Sequence, residues 1–160
     1  MELERFLLTA KSATYASQGD AASVAPLLAD SKQLEYRDGP LLYRDIYVGM
    51  FRFVGQEVVY RSLNAVWSMS YAGGLADDTN RELTASIYAH LRKALLGAPT
   101  SLPLRGPTVF EEGSMQYTCS TEGPLAGSME SRASSMSESW STSFGSQGVV
   151  WTEAATQING

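Results

Sequence analysis

The stretch Tyr36-Arg-Asp-Gly-Pro-Leu-Leu-Tyr43, continued to Gly49, recurs later in the chain as Phe110-Glu-Glu-Gly-Ser-Met-Gln-Tyr117, continued to Gly123. An aromatic residue, a glycine, a tyrosine and a second glycine repeat at one constant offset, and a helical pattern precedes each copy. Self-similarity at a fixed offset is typical of a duplicated structural unit. The sequence therefore predicts two related units, each a helix followed by β-strands.

Apolar residues recur at the strand period of two between Gln33 and Gly74, and turn residues divide this region into four segments. Short turns between consecutive strands favour antiparallel pairing. The predicted strands lie near residues 33–37, 41–48, 56–61, 65–72, 108–111 and 115–121. Apolar residues at spacings of three and four predict helices over 2–16 and 80–96.

These patterns predict an α+β fold of tandem α-β units with an antiparallel sheet, the second unit being incomplete. We expect one α+β domain over residues 1–127, made of units 1–75 and 76–127. Residues 128–160 form an atypical serine-rich tail in this interpretation.

Charge and cysteine content exclude several classes of function. The chain carries 12 basic and 17 acidic residues, a net charge of −5, so nucleic-acid binding by this chain alone is not expected. Cys119 is the only cysteine, which excludes an internal disulfide and a cysteine-based zinc site. No apolar run reaches the ~20 residues needed to span a bilayer, and the N-terminal residues lack a secretory pattern. We expect a cytoplasmic protein that needs no cofactor or metal and does not bind membranes.

Several short motifs together resemble one bacterial family. They are Phe6-Leu-Leu-Thr-Ala-Lys-Ser-Ala-Thr-Tyr15, Leu34 to Gly49, Phe53-Val-Gly-Gln-Glu57, Val66-Trp-Ser-Met-Ser-Tyr71 and Leu104-Arg-Gly-Pro107. The combination resembles the domain of unknown function 5680 family, whose members stand alone or follow Xre-type helix-turn-helix regulators. The resemblance implies no established activity, substrate or cofactor. No helix-turn-helix pattern precedes the first predicted helix, so we do not expect the regulator context to transfer.

The tail departs from this resemblance. Residues 128–146 contain nine serines, where the family pattern calls for another strand pair resembling Phe53 to Gly74. A shifted reading frame is one explanation, because the pairs Met129-Glu130 and Trp151-Thr152 would then encode glycine and aspartate, and the codons between permit a repeat-like sequence. A divergent or disordered tail is the other. Loss of the final strands under a shifted frame predicts that residues 128–146 lack stable strands, whereas well-formed core strands there would favour the divergent tail.

A candidate ligand site follows from strand alternation. Tyr43, Asp45 and Tyr47 share one face of their strand, and Trp67 and Tyr71 form an aromatic stripe that we expect beside them. Aromatic walls with a few polar anchors bind small organic molecules, whereas the structural alternative is cross-strand aromatic pairing. We expect Trp67 and Tyr71 to be largely buried.

Charged residues extend the candidate set. Glu57, with Asp45 or Glu35, offers carboxylates for general acid/base chemistry, although pairing with arginines would make them structural. Arg105, in a rigid Gly-Pro connector, is a candidate for binding an anion or carboxylate. His90 and Cys119 lack the neighbours that a metal site or a nucleophile requires, so packing roles are expected.

Three functional hypotheses remain open. The leading one is a non-catalytic module that binds a small molecule or peptide; the second is a small hydrolase-like enzyme using Glu57 or Asp45; the third is a domain that forms homodimers through exposed sheet edges. A cavity with two facing carboxylates would favour the enzyme, and an aromatic cavity without them would favour binding. Flat edges and no cavity would favour assembly.

Overall fold

The protein, seen in a computed structural model, is described over residues 2–19, 23–75, 81–101, 106–122, 135–144 and 147–157, with side chains described only up to Ser120. The described residues form two α-helices and eight strands. The helices are α1 (Glu2–Lys11), which runs into a π-helical turn (Ser12–Ala16), and α2 (Arg81–Leu96). The strands are β1 (Lys32–Asp38), β2 (Leu41–Gly49), β3 (Arg52–Arg61), β4 (Asn64–Leu75), β5 (Val109–Glu112), β6 (Met115–Glu122), β7 (Ser135–Phe144) and β8 (Gln147–Gln157).

All eight strands belong to one antiparallel sheet in the order β1-β2-β3-β4-β8-β7-β6-β5. The predicted α+β class is confirmed. Strands β1 to β4 form a meander, and the last strand of each half, β4 and β8, pair at the centre of the sheet. The second half is the less complete of the two, since its first strand, β5, has four residues against seven in β1.

The serine-rich segment corrects one prediction. Residues 135–144 form β7, which pairs with β6 on one side and β8 on the other, so the expectation that 128–146 lacks strands is wrong for this part. The remaining residues of that range, 128–134 and 145–146, lie outside the described residues. Serine occupies every second position from Ser135 to Ser143, and larger residues alternate with it. This period of two is the pattern of a strand. Strand formation here also supplies hydrogen-bond partners for the edge of β6, which favours β7 despite its low content of apolar residues.

The hairpin between β2 and β3 is tighter than the sequence predicted. The expected turn over 49–55 shrinks to two residues, Met50 and Phe51, because β2 ends at Gly49 and β3 begins at Arg52. Gly49 has a φ of +86°, and a Cβ there would overlap the Arg52 carbonyl oxygen. Only glycine fits this turn without strain. The hairpin tip, Met50 and Phe51, is also held by a hydrogen bond from the Leu75 backbone N–H to the Phe51 carbonyl oxygen at 2.8 Å.

Two hydrophobic clusters hold the helices on the sheet. The first packs Phe6, Leu7 and Ala10 of α1 against the inner face of β1 to β4, including Trp67. Burial of Trp67 and Tyr71, at 1% and 9% exposure, confirms that prediction. A second cluster joins α2, the π-helical turn and β6, and it contains Ile87, Leu91 and Tyr117. Phe53 packs against both clusters, so the space between α1 and α2 lies over β2 and β3.

No helix within the described ranges is long and apolar enough to cross a membrane.

Candidate functional site

A cavity of about 780 Å³ occupies the space between the two helices and the sheet. Its walls come from α1 with the π-helical turn, from β1 to β4, from the β2–β3 hairpin tip and from α2. Aromatic side chains are prominent in the lining: Tyr15, Tyr43, Tyr47, Phe51, Phe53, Tyr71 and Tyr88. Protein interiors are normally packed with few voids larger than a water molecule, so a space of this size within the fold is a candidate binding site.

Two acidic residues lie side by side on the sheet wall of this cavity. Asp45 on β2 is the direct cross-strand partner of Glu57 on β3, and directly opposed residues of antiparallel strands point to the same face. Both are buried, with 5% and 2% of their surface exposed. Alternation along β2 puts Tyr43 and Tyr47 on this face too, as predicted.

Lys11, the last residue of α1, forms an ion pair with Glu57. Its Nζ donates to Oε1 of Glu57 at 2.8 Å and lies 2.6 Å from Oε2. The lysine side chain is 12% exposed and the glutamate side chain 3%, so the pair is largely shielded from water. Buried charges are tolerated when they are paired in this way.

The π-helical turn that follows Lys11 brings further groups to the cavity. It contains Ser12, Tyr15 and Ala16, all of which line the cavity. Thr14 departs from helical geometry and donates a hydrogen bond from Oγ1 to the Ala10 carbonyl oxygen at 2.8 Å.

Asp45 accepts a hydrogen bond from a tyrosine two strands away. The Tyr71 hydroxyl on β4 donates to Asp45 Oδ1 at 2.8 Å, so the phenol ring crosses β3. Gly55 is the β3 residue paired with Tyr71, and a side chain there would overlap the phenol. A glycine at this position therefore leaves the room that the tyrosine needs to reach the aspartate.

Basic side chains are the other polar component of the lining. Lys32 on β1 and Arg81 at the start of α2 are exposed, and Arg92, one turn from the end of α2, is half-buried. Arg92 lies against Gly19, where a Cβ would be 3.7 Å from the guanidinium Nη1. Since these residues both line the cavity and contact solvent, they surround its mouth.

Five of the seven residues proposed from the sequence meet at this cavity: Tyr43, Asp45, Tyr47, Glu57 and Tyr71. Trp67 does not line it, because its side chain is packed beneath α1. Arg105 lies outside the described residues. The roles of these residues in binding stay predictions.

Other charged groups behave as structural elements. Glu35 is on the opposite face of the sheet and accepts a hydrogen bond from Arg44 Nε at 2.7 Å, the arginine pairing considered from the sequence. Glu57 instead pairs with Lys11, which sequence analysis missed. The signal was present, because Lys11 follows Leu7 by four positions and so borders the apolar stripe of α1.

His90 and Cys119 lie away from the cavity, within or beside the second cluster. Burial lowers the pKa of His90 from its ordinary value, although the nearby Glu112 carboxylate opposes this shift. The His90 ring centroid is 5.0 Å from that of Phe110. Cys119 is buried among apolar residues. In the part of the chain that the structure describes, no three His, Cys, Asp or Glu residues are grouped to hold a metal ion.

The chain was compared with known families and proteins. The model of a family described as a domain of unknown function (DUF5680) matches residues 45–145. The match starts at Asp45 in the cavity wall and extends through β7. No curated protein and no solved structure matches the chain.

Proposed function

Because this chain belongs to the DUF5680 family, whose description assigns no activity, we propose its function from the cavity: it binds a small organic molecule without transforming it. The observation that carries the proposal is a cavity of about 780 Å³ lined by aromatic rings and by two buried carboxylates. That volume matches the size of typical small-molecule sites, ~300–1,000 Å³. A cavity of this volume would take one side chain or one terminus of a peptide.

The polar groups support a binding role. Burying Asp45, Glu57 and Lys11 costs stability that apolar residues would not cost. Each of the three is held in a defined position, Glu57 by Lys11 and Asp45 by Tyr71. Fixed polar groups among aromatic walls orient a ligand and supply specificity.

A thermal-shift screen of purified protein against a metabolite library tests the proposal. A ligand at a hundred times its Kd stabilises the folded state by about 2.7 kcal/mol. Asp45→Asn and Glu57→Gln keep the shape of each side chain and remove its charge, so we expect both variants to fold and to bind the hit more weakly. Glu35→Gln is the matched control, since this carboxylate lies on the other face of the sheet. Unchanged affinity in both cavity variants would move the site elsewhere.

A second test blocks the cavity without removing its polar groups. Ala85 lines the cavity from the exposed side of α2, whereas its neighbour Ser86 does not line it. We expect Ala85→Trp to abolish the ligand-induced shift and Ser86→Trp to leave it intact. Equal shifts in both variants would contradict binding in this cavity.

An acid/base enzyme is the second candidate function. The cross-strand pairing of Asp45 with Glu57 inside a cavity favours it, although the criterion for an enzyme is a cavity with two facing carboxylates. Binding is preferred because the two acids share one wall instead of flanking the space, and because Lys11 and Tyr71 already engage them. Incubating each screening hit with the protein and analysing the mixture by mass spectrometry separates the two: turnover that disappears in Asp45→Asn or Glu57→Gln would establish the enzyme.

The remaining expectations concern setting and assembly. A bacterial cytoplasm suits a chain whose single cysteine is buried and reduced. The mirrored strand order of the sheet supports the interpretation of two related units. Homodimerisation through sheet edges is a weaker proposal, because a bridge from Ser23 to Leu34 covers part of the β1 edge and β5 is short.

A further inference from the structure

The lining of the cavity is basic, although the chain as a whole is acidic. Among the residues that the structure describes, four basic side chains line it, against two acidic ones. The basic residues are Lys11, Lys32, Arg81 and Arg92, and the acidic ones are Asp45 and Glu57. A concave surface whose charge opposes the net charge of the protein concentrates ligands of the opposite sign.

We propose that the ligand is an organic anion, with an apolar or aromatic body inside the cavity and one carboxylate or phosphate at its mouth. This inference rests on the proposed binding function and defines the chemical class of the ligand. Its first support is the separation of charges by depth: Asp45 and Glu57 are buried, whereas Lys32 and Arg81 are exposed. An acidic group placed deep in the cavity would meet two carboxylates, but at the mouth it meets basic side chains.

The second support is that the deep charges are largely balanced among themselves. Lys11 forms the buried ion pair with Glu57, so its charge is balanced by that carboxylate. Lys32, Arg81 and Arg92 form no ion pair with another residue in the described parts of the chain. Their charges come from two separate elements, β1 and α2, and all three residues line the same cavity.

The third support is the chemistry of the two arginines. A guanidinium presents paired donors that match a carboxylate or a phosphate, and it stays charged at all physiological pH values. Arg81 and Arg92 belong to the same helix, whose packing through Ile87 and Leu91 fixes its position relative to the cavity. Tyr88, which also lines the cavity, is anchored between them by a hydrogen bond from its hydroxyl to the Met50 carbonyl oxygen at 2.7 Å.

Matched probes test this assignment. Phenyl, indol-3-yl and naphthyl rings are each tested as the acetate, the acetamide and the ethylamine, so that charge changes while the apolar body stays the same. Isothermal titration calorimetry on the intact chain measures affinity. We expect the acetates to bind at least about tenfold more tightly than the amides of the same ring, in line with a charge-assisted hydrogen bond. The amines are expected to bind most weakly.

Variants locate the anion. Arg92→Gln and Arg81→Gln should each reduce acetate affinity by about tenfold and leave amide affinity unchanged. Lys93→Gln is the control, because Lys93 is the neighbour of Arg92 on α2 but pairs with Glu112 and does not line the cavity. Comparable losses in the control would show a non-specific effect of helix charge and overturn the inference.

The other outcomes are equally decisive. If amides or amines bind as tightly as acetates, the ligand class is wrong and the binding function stands. If none of the probes binds and the metabolite screen of the previous section also yields no ligand, the binding function fails and the inference falls with it. If the screen yields only uncharged or cationic hits, the anion assignment is refuted by those hits directly.

Discussion

Gly55 lies beneath the phenol ring of Tyr71, and this contact permits the hydrogen bond from Tyr71 to Asp45. The tyrosine and the aspartate are on β4 and β2, so the ring must cross β3 between them. A Cβ at Gly55 would overlap the phenol and also come within 2.8 Å of Tyr47 Cβ. The lack of a side chain at Gly55 thus allows a residue of β4 to contact a residue of β2 across β3.

Gly55→Ala is expected to lower the free energy of unfolding by about 1–3 kcal/mol, because the added methyl group displaces Tyr71 from a packed position. Urea denaturation of the variant measures this. In a Tyr71→Leu background the methyl group no longer meets the phenol, so the cost of Gly55→Ala should fall clearly. An equal cost in both backgrounds would show that the alanine acts through the backbone of β3 and not through Tyr71.

Lys11→Met should destabilise the protein by about 3–5 kcal/mol, because it leaves the Glu57 carboxylate buried without its partner. The matched double variant, Lys11→Met with Glu57→Gln, removes both charges and should recover most of this loss. Equilibrium unfolding of the two single variants and the double variant gives the coupling energy. If the effects of the two changes simply add, the ion pair contributes nothing specific to stability.

Much of the wall of the site could be predicted from the sequence, because strand alternation depends only on local order. The common face of Tyr43, Asp45 and Tyr47 followed from that period. The partnership of Asp45 with Glu57 did not, since the length of the turn at residues 50–51 sets the register and the sequence predicts a longer turn. Nor did the approach of Lys11, which depends on how α1 packs over the sheet. Contacts between distant segments are fixed by tertiary packing, which a single sequence does not display.

For strand β7 the prediction was wrong because it relied on composition and ignored periodicity. Composition alone made the segment around Ser135 to Ser143 look unstructured, yet serine at every second position is itself a strand pattern. A strand with partners on both sides satisfies its backbone groups whatever its side chains are. Periodicity was therefore a better guide here than the fraction of apolar residues.

Stability should decrease as the pH falls below about 6.5, because of His90. Its pKa is lowered in the folded state, chiefly by burial, with the Glu112 carboxylate opposing. The unfolded chain then binds a proton that the folded chain does not, so the contribution of the neutral histidine is complete above the ordinary pKa of 6.5 and is lost as the pH falls toward the lowered one. Thermal unfolding at a series of pH values measures this. In His90→Gln the slope just below pH 6.5 should be flatter, and an unchanged slope would assign it to other groups.

The last prediction concerns the chain from Ser128 to Trp151. Serine has little apolar surface and a low preference for strands, so a strand with serine at alternate positions stabilises the sheet weakly. The shifted reading frame would exchange these serines for larger residues of the kind found in β3. We therefore expect a chain that carries the repeat-like sequence over 128–151 to melt at a higher temperature and to form fewer oligomers, measured by calorimetry and by light scattering. A version with the same residues in scrambled order is the control, because it keeps the composition and loses the period of two. Equal or lower melting temperature than the present chain, or coding DNA that cannot spell the repeat in the shifted frame, would favour a divergent tail.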